Sequence, residues 1–154
     1  MVVPVDFSDA SHCAINAALE MVARPADVHA VHVIQPAQDR DLIAEWSPRQ
    51  PDETWDGAAL ARLDEYLRSH DSAGVTQAVC LGDPGLAITD YAREHDADLI
   101  IIPSHGYHGL KRLLLGSVAE HVVRYATCPV LVLRRPDAEP TRELERLGPA
   151  SEPA

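Results

Sequence analysis

Short apolar runs rich in β-branched residues recur along this chain with helix-length stretches between them, and that alternation leaves few folds open. Val2 to Val5 and Val28 to Ile34 are apolar on both faces, and Leu99 to Ile102 is wholly apolar. Strands buried in a parallel sheet have this character, whereas half-exposed strands alternate. Val75 to Leu81 and Val130 to Leu133 supply two further strands. Between the first two, Ser8 is placed to cap a helix from about Asp9 to Ala23, with Ala14, Ala17, Ala18, Met21 and Val22 at helical spacing. Helix returns near Asp56, with Leu60, Leu63 and Leu67 on one face, and Gly74 reads as its end. Asp83-Pro84 sets a capping residue before a proline at the first position of a helix reaching about His95. A last helix spans Val118 to Ala126. Right-handed crossovers between parallel strands place helices on both sheet faces. The expected fold is a single doubly wound α/β domain, a five-stranded parallel sheet in the order 3-2-1-4-5.

A chain of 154 residues, 46% hydrophobic, buries one core without metal or disulfide staples. Residues 1–135 are expected to form the domain. The stretch 136–154, with four prolines, alternating charges and little apolar content, reads as a disordered acidic, proline-rich tail. Gln35 to Thr54, with Pro36, Pro48, Pro51 and Trp46 and with Trp55 next to it, reads as an irregular excursion whose aromatics pack it onto the domain or cover a ligand or partner. The odd set Cys13, Cys80 and Cys128 suggests small buried core residues in a reducing compartment. Met1 to Val5 has no basic region before it, so no secretory signal is expected, and no apolar stretch approaches the roughly 20 residues that span a bilayer. A cytoplasmic location follows as the expectation.

The net charge of −11 argues against nucleic acid and anionic membrane as partners. Against that background, Leu99 to Arg135 holds Lys111, Arg112, Arg124, Arg134 and Arg135 with Glu120 as its acid, a local balance of +4. Two readings are open: attraction for a small anion, or solvated surface cations.

In an open doubly wound sheet, ligands bind at the carboxyl ends of strands where the winding reverses. Here that point lies between the first and fourth strands, which end at Asp6 and Pro103. Asp6 could accept hydrogen bonds from a ribose hydroxyl or a base amino group, or could cap the following helix. The run Pro103-Ser104-His105-Gly106-Tyr107-His108-Gly109 leads to Gly116-Ser117-Val118. Glycines let the backbone approach a phosphate, and free N–H groups at a helix start point at it. Ser117-Val118-Ala119-Glu120 also fits a capping box, and a capped helix start still offers further N–H groups. His105 and His108 flank Gly106 but lack a third ligand of matching spacing, with His29, His32 and His95 scattered, so no metal site is assigned. Lys111 and Arg112 either reach a terminal phosphate or are solvated. No Walker lysine loop and no Gly-x-Ser-x-Gly elbow is present, and no catalytic residue is assigned.

The segments Val3-Pro4-Val5-Asp6-Phe7-Ser8, Val31-His32-Val33, Ala97-Asp98-Leu99-Ile100 and Cys128-Pro129-Val130-Leu131-Val132 resemble the universal stress protein family. So does Ser104-His105-Gly106 followed by nine residues to Gly116-Ser117. The similarity covers roughly Met1 to Arg134. It implies a dimer through the last strand, Val130 to Leu133, and a site for ATP or another adenine nucleotide, with Mg²⁺ as an optional companion. By the same resemblance Asp6 holds the nucleoside and Pro4 and Val33 pack near adenine. Gly106 and Gly116 border the phosphates, and Ser117 and Val118 bind phosphate oxygens; Pro103, Ser104, His105 and Gly109 of the intervening loop are counted with them in the expected binding segment, His105 chiefly as a loop-structuring hydrogen-bonding residue. The chain departs from the nucleotide-binding pattern, Gly-x-x-Gly, nine residues, Gly-Ser or Gly-Thr, by carrying Pro103 in place of the first glycine. Proline removes an N–H and stiffens the strand exit. The expected function is a non-catalytic, nucleotide-binding stress-response regulator. The alternatives are a nucleotide-independent dimeric interaction module and a slow ATP hydrolase.

Overall fold

The computed structural model describes residues 1–35, 55–104 and 115–134. Its strands are β1 (Val2–Pro4), β2 (His29–Ile34), β3 (Thr76–Leu81), β4 (Ile100–Pro103) and β5 (Val130–Leu133). Its α-helices are α1 (Asp9–Met21), α2 (Trp55–Ser69), α3 (Pro84–Glu94) and α4 (Ser117–Tyr125), with a 3₁₀ turn at Pro25–Asp27. All strand pairs are parallel, in the order β3-β2-β1-β4-β5. The doubly wound architecture expected from the alternating runs is therefore the one formed.

Successive strand residues feed opposite layers, as the strand period of two requires. Val3, Val5, Ala30 and Ile101 pack with Ala14, Ile15 and Ala18 of α1 and with Leu63 and Leu67 of α2. Val2, Val31, Ile100 and Ile102 pack with Ile88 and Ala92 of α3 and Ala119 and Val122 of α4. Ile100 and Ile101 are both fully buried, one in each layer, and each contributes about 2 to 3 kcal/mol of apolar transfer.

The burial of the cysteines and the end of α2 differ from the sequence expectation. Cys13 is exposed rather than in the core, because it lies on the outer face of α1; Cys80 and Cys128 are partly buried, and all three thiols are free. Burial pushes the Cys80 and Cys128 thiols above their usual range. The second difference is the end of α2, which stops at Ser69 rather than at Gly74. The reversal is made by Asp71 at φ 53°, with its amide donating to the Arg68 carbonyl at 3.3 Å and the Ser72 amide to the Leu67 carbonyl at 2.9 Å. This is a Schellman motif with aspartate at the left-handed position that glycine usually takes. α3 ends the same way: Asp96 is at φ 47°, its amide donates to the Arg93 carbonyl and the Ala97 amide to the Ala92 carbonyl.

Candidate functional site

The carboxyl ends of the neighbouring parallel strands β1 and β4 lie side by side at the reversal of winding. Their ladder has a single registered pair, Val2 with Ile100, whereas β4 and β5 stay paired from Ile100–Val130 through Pro103–Leu133. The cause lies in β1. The Val2 amide donates toward β4, to the Leu99 carbonyl at 2.9 Å, and Val5 donates toward β2, to the Val31 carbonyl at 2.8 Å. Pro4 stands where the next donor toward β4 belongs and has no N–H. A proline inside a central strand is rare because it forfeits a rung. Here it ends the ladder where ligands bind in such sheets.

Beyond Pro4 the chain turns into α1 through a closed network. The Asp6 Oδ1 accepts from the Ser8 amide at 3.1 Å, the Ser8 hydroxyl at 2.5 Å and the Ser11 hydroxyl at 2.6 Å. The Asp6 amide donates to the Ser11 Oγ, and Ser8 caps α1 by accepting from the Ser11 amide. Asp6 is thus a turn organiser as well as a strand-end carboxylate; the helix cap itself is Ser8.

On the β4 side, the Ser104 amide donates to the Leu133 carbonyl at 2.8 Å, and the Ser104 carbonyl accepts from the Gly116 amide at 2.9 Å. That bond holds Gly116 as the N-cap of α4 at φ −60°, ψ 150°, with no side chain capping it. Ser117 is therefore the first helical residue, so the capping box does not form, and Glu120 pairs with Arg124 at 2.9 Å. The amides of the first α4 turn start beside the end of β4, at the positive pole of the helix.

Among the expected site residues, Pro4, Asp6, Pro103, Ser104, Gly116 and Val118 are half-buried, and Ser117 is exposed. Val33 packs on the α3–α4 layer. His105, Gly106 and Gly109 lie outside the described residues, as do His108, Lys111, Arg112, Trp46, the Trp55 side chain and the stretch 136–154. Sequence reading missed the aromatic cluster behind Asp6. Phe7 has φ 62°, and its ring meets His32 at 4.5 Å and Tyr66 at 5.5 Å, with the Arg62 guanidinium 4.7 Å above it. Tyr66 donates its hydroxyl to the Ser8 carbonyl at 2.8 Å, and burial, then the Asp6 and Asp9 carboxylates, push its phenol above the usual range. The one available signal was the i, i+4 spacing of Arg62 and Tyr66, which puts both on one helix face.

A cavity of about 360 Å³, lined by Met1, Asp27, His29, His95 and Asp98 among others, lies at the amino ends of the strands, away from this reversal point. Among the described residues no group of three or more His, Cys, Asp or Glu side chains is arranged to hold a metal, and no helix is long and apolar enough to cross a membrane.

The fold is of the open, doubly wound α/β class, with the Asp6 carboxylate at the end of β1 and a glycine-capped helix start after β4. Within that class the chain belongs to the universal stress protein family, whose model matches residues 1–134. It is 35% identical over 145 residues to the universal stress protein MJ0531 of Methanocaldococcus jannaschii, covering 90% of this chain and 84% of that one. The solved structure of the hypothetical protein MJ0577, from the same organism, superposes with a TM-score of 0.69 at 26% identity, over 88% of this chain and 95% of that one. A universal stress protein family member from Arabidopsis thaliana, solved with AMP bound, superposes with a TM-score of 0.55 at 22% identity, over 91% and 94%.

Proposed function

We propose that this family member is a non-catalytic regulatory module that binds ATP or another adenine nucleotide, with or without Mg²⁺, between the ends of β1 and β4. The observation that carries the reading is the Gly116–Ser104 hydrogen bond of 2.9 Å. It seats the amides of Ser117 and Val118 at the sheet's reversal point, where a helix start binds a phosphate group. The Asp6 carboxylate lies at the end of the neighbouring strand and accepts from a nucleoside donor, and Pro4 and Val33 offer it an apolar wall. By the family resemblance, Gly116 and the loop glycine Gly106 are the residues assigned to border the phosphates. The AMP bound by the Arabidopsis protein, which shares the fold at 22% identity, points to the adenine class for the probe set. The reading extends to a cytoplasmic homodimer formed through β5, which a mass in solution equal to one chain would overturn.

Thermal unfolding of ligand-stripped protein with ATP, ADP, AMP and cyclic AMP, each with Mg²⁺, tests the site. A nucleotide at 100 times its dissociation constant stabilises by about 2.7 kcal/mol, several degrees for a domain of this size. Gly116→Asp puts a carboxylate at the α4 start and is expected to abolish the shift. Absence of any shift at millimolar nucleotide would overturn the proposal and favour a nucleotide-independent interaction module. Pro103 and the hydrogen bonds already made to the Asp6 Oδ1 would then explain the loss.

A further inference from the structure

We infer that Tyr66 and Arg62 of α2 are positioning residues for the candidate ligand site, clamping Phe7 in a left-handed backbone conformation that presents Asp6; the inference rests on the nucleotide reading above. Phe7 is the middle residue of the loop closed by the Ser8 amide on the Asp6 Oδ1. In such an aspartate turn the middle residue's dihedrals decide whether the amide reaches the carboxylate. Phe7 sits at φ 62°, a region that crowds any Cβ against the carbonyl and is rare for a bulky side chain. Such strain persists where the surroundings over-determine it.

The surroundings here are specific. The Phe7 ring lies against the His32 imidazole, edge-on to Tyr66 and beneath the Arg62 guanidinium. His32 is fixed in turn by a 2.8 Å bond between its Nδ1 and the Val5 carbonyl, which requires the proton on Nδ1. The Tyr66 hydroxyl holds the far side of the turn at the Ser8 carbonyl. The residues on either side of Phe7 are thus tied, Asp6 by Ser8 and Ser11 and Ser8 by Tyr66, while the ring between them is packed from β2 and α2. α2 thus reaches the carboxylate through the turn, by holding Phe7 and Ser8, which hold Asp6.

Phe7→Ala and Phe7→Gly separate this from ordinary packing. Both remove the ring, but glycine takes positive φ freely and alanine does not. Packing alone predicts equal losses, or the better result for alanine, since glycine usually costs stability. The clamp predicts ATP–Mg²⁺ affinity, read by calorimetry, weaker in Phe7→Ala than in Phe7→Gly by about fivefold or more. Without nucleotide, Phe7→Gly should melt above Phe7→Ala by about 2 °C or more. Tyr66→Phe, which keeps the ring and loses the bond to Ser8, should lower ATP affinity with its far-UV dichroism unchanged. Equal affinities for the two Phe7 variants, or wild-type affinity in Tyr66→Phe, would overturn the positioning role. A wild-type protein with no ATP response would overturn the nucleotide reading and the positioning role together, and the melting order would still judge the clamp.

Discussion

At the scale of single residues, the chain places proline and aspartate where other amino acids would be anticipated, and each has a local cause. Pro4 and Pro103 stand at the ends of the two strands that face the site. Asp71 and Asp96 take left-handed positions that glycine fills more cheaply, by about 1 kcal/mol. Asp96→Gly keeps both Schellman hydrogen bonds and removes the Cβ strain, so it should raise the melting temperature by about 2 to 4 °C. An unchanged or lower value in calorimetry would mean that the Asp96 side chain contributes as much as its backbone costs. The same logic explains why the sequence pattern sets the end of α2 too late. Glycine is the usual mark of a helix end, so Gly74, itself at φ 86° just before β3, drew the boundary away from Asp71.

Between elements, α3 and α4 meet at Gly85 and His121. A Cβ at position 85 would lie 2.5 Å from the His121 Cγ, and the buried His121 Nε2 has no hydrogen-bond partner among the described residues. The helices are thus in contact at a point that tolerates no side chain. Gly85→Ala should cost about 1 to 3 kcal/mol through forced displacement of the imidazole or of α4, read as a lower denaturant midpoint at unchanged slope. Because α4 carries the candidate phosphate amides, any ATP response should weaken with it; a variant as stable as wild type would show that His121 swings clear. The strands, their order and the Asp83-Pro84 cap were legible, since apolar runs and local capping chemistry are written in neighbouring residues. The true start of α4 was not, because Gly116 becomes the cap through a bond to Ser104, twelve positions earlier in the chain. Nor was the Phe7 cluster, which joins β1, β2 and α2 and leaves no local pattern.

For the molecule as a whole, β5 closes one side of the sheet with Leu131 38% exposed and no strand beyond it among the described residues. An apolar edge of this kind invites pairing with another chain. Light scattering should therefore give twice the chain mass, and Leu131→Asp should return it to one; wild type at one chain's mass would remove the dimer. The interior has its own division. With a single registered pair joining β1 to β4, against three for β1–β2, six for β2–β3 and four for β4–β5, the five-stranded sheet has its shortest backbone ladder along the seam between a three-strand side and a two-strand side. Packing yields to small sliding displacements where a full ladder would not. A ligand touching both Asp6 and the start of α4 would span that seam as a clasp, adding across it the crosslink that Pro4 withholds, so that occupancy would be felt as stiffness between the two halves.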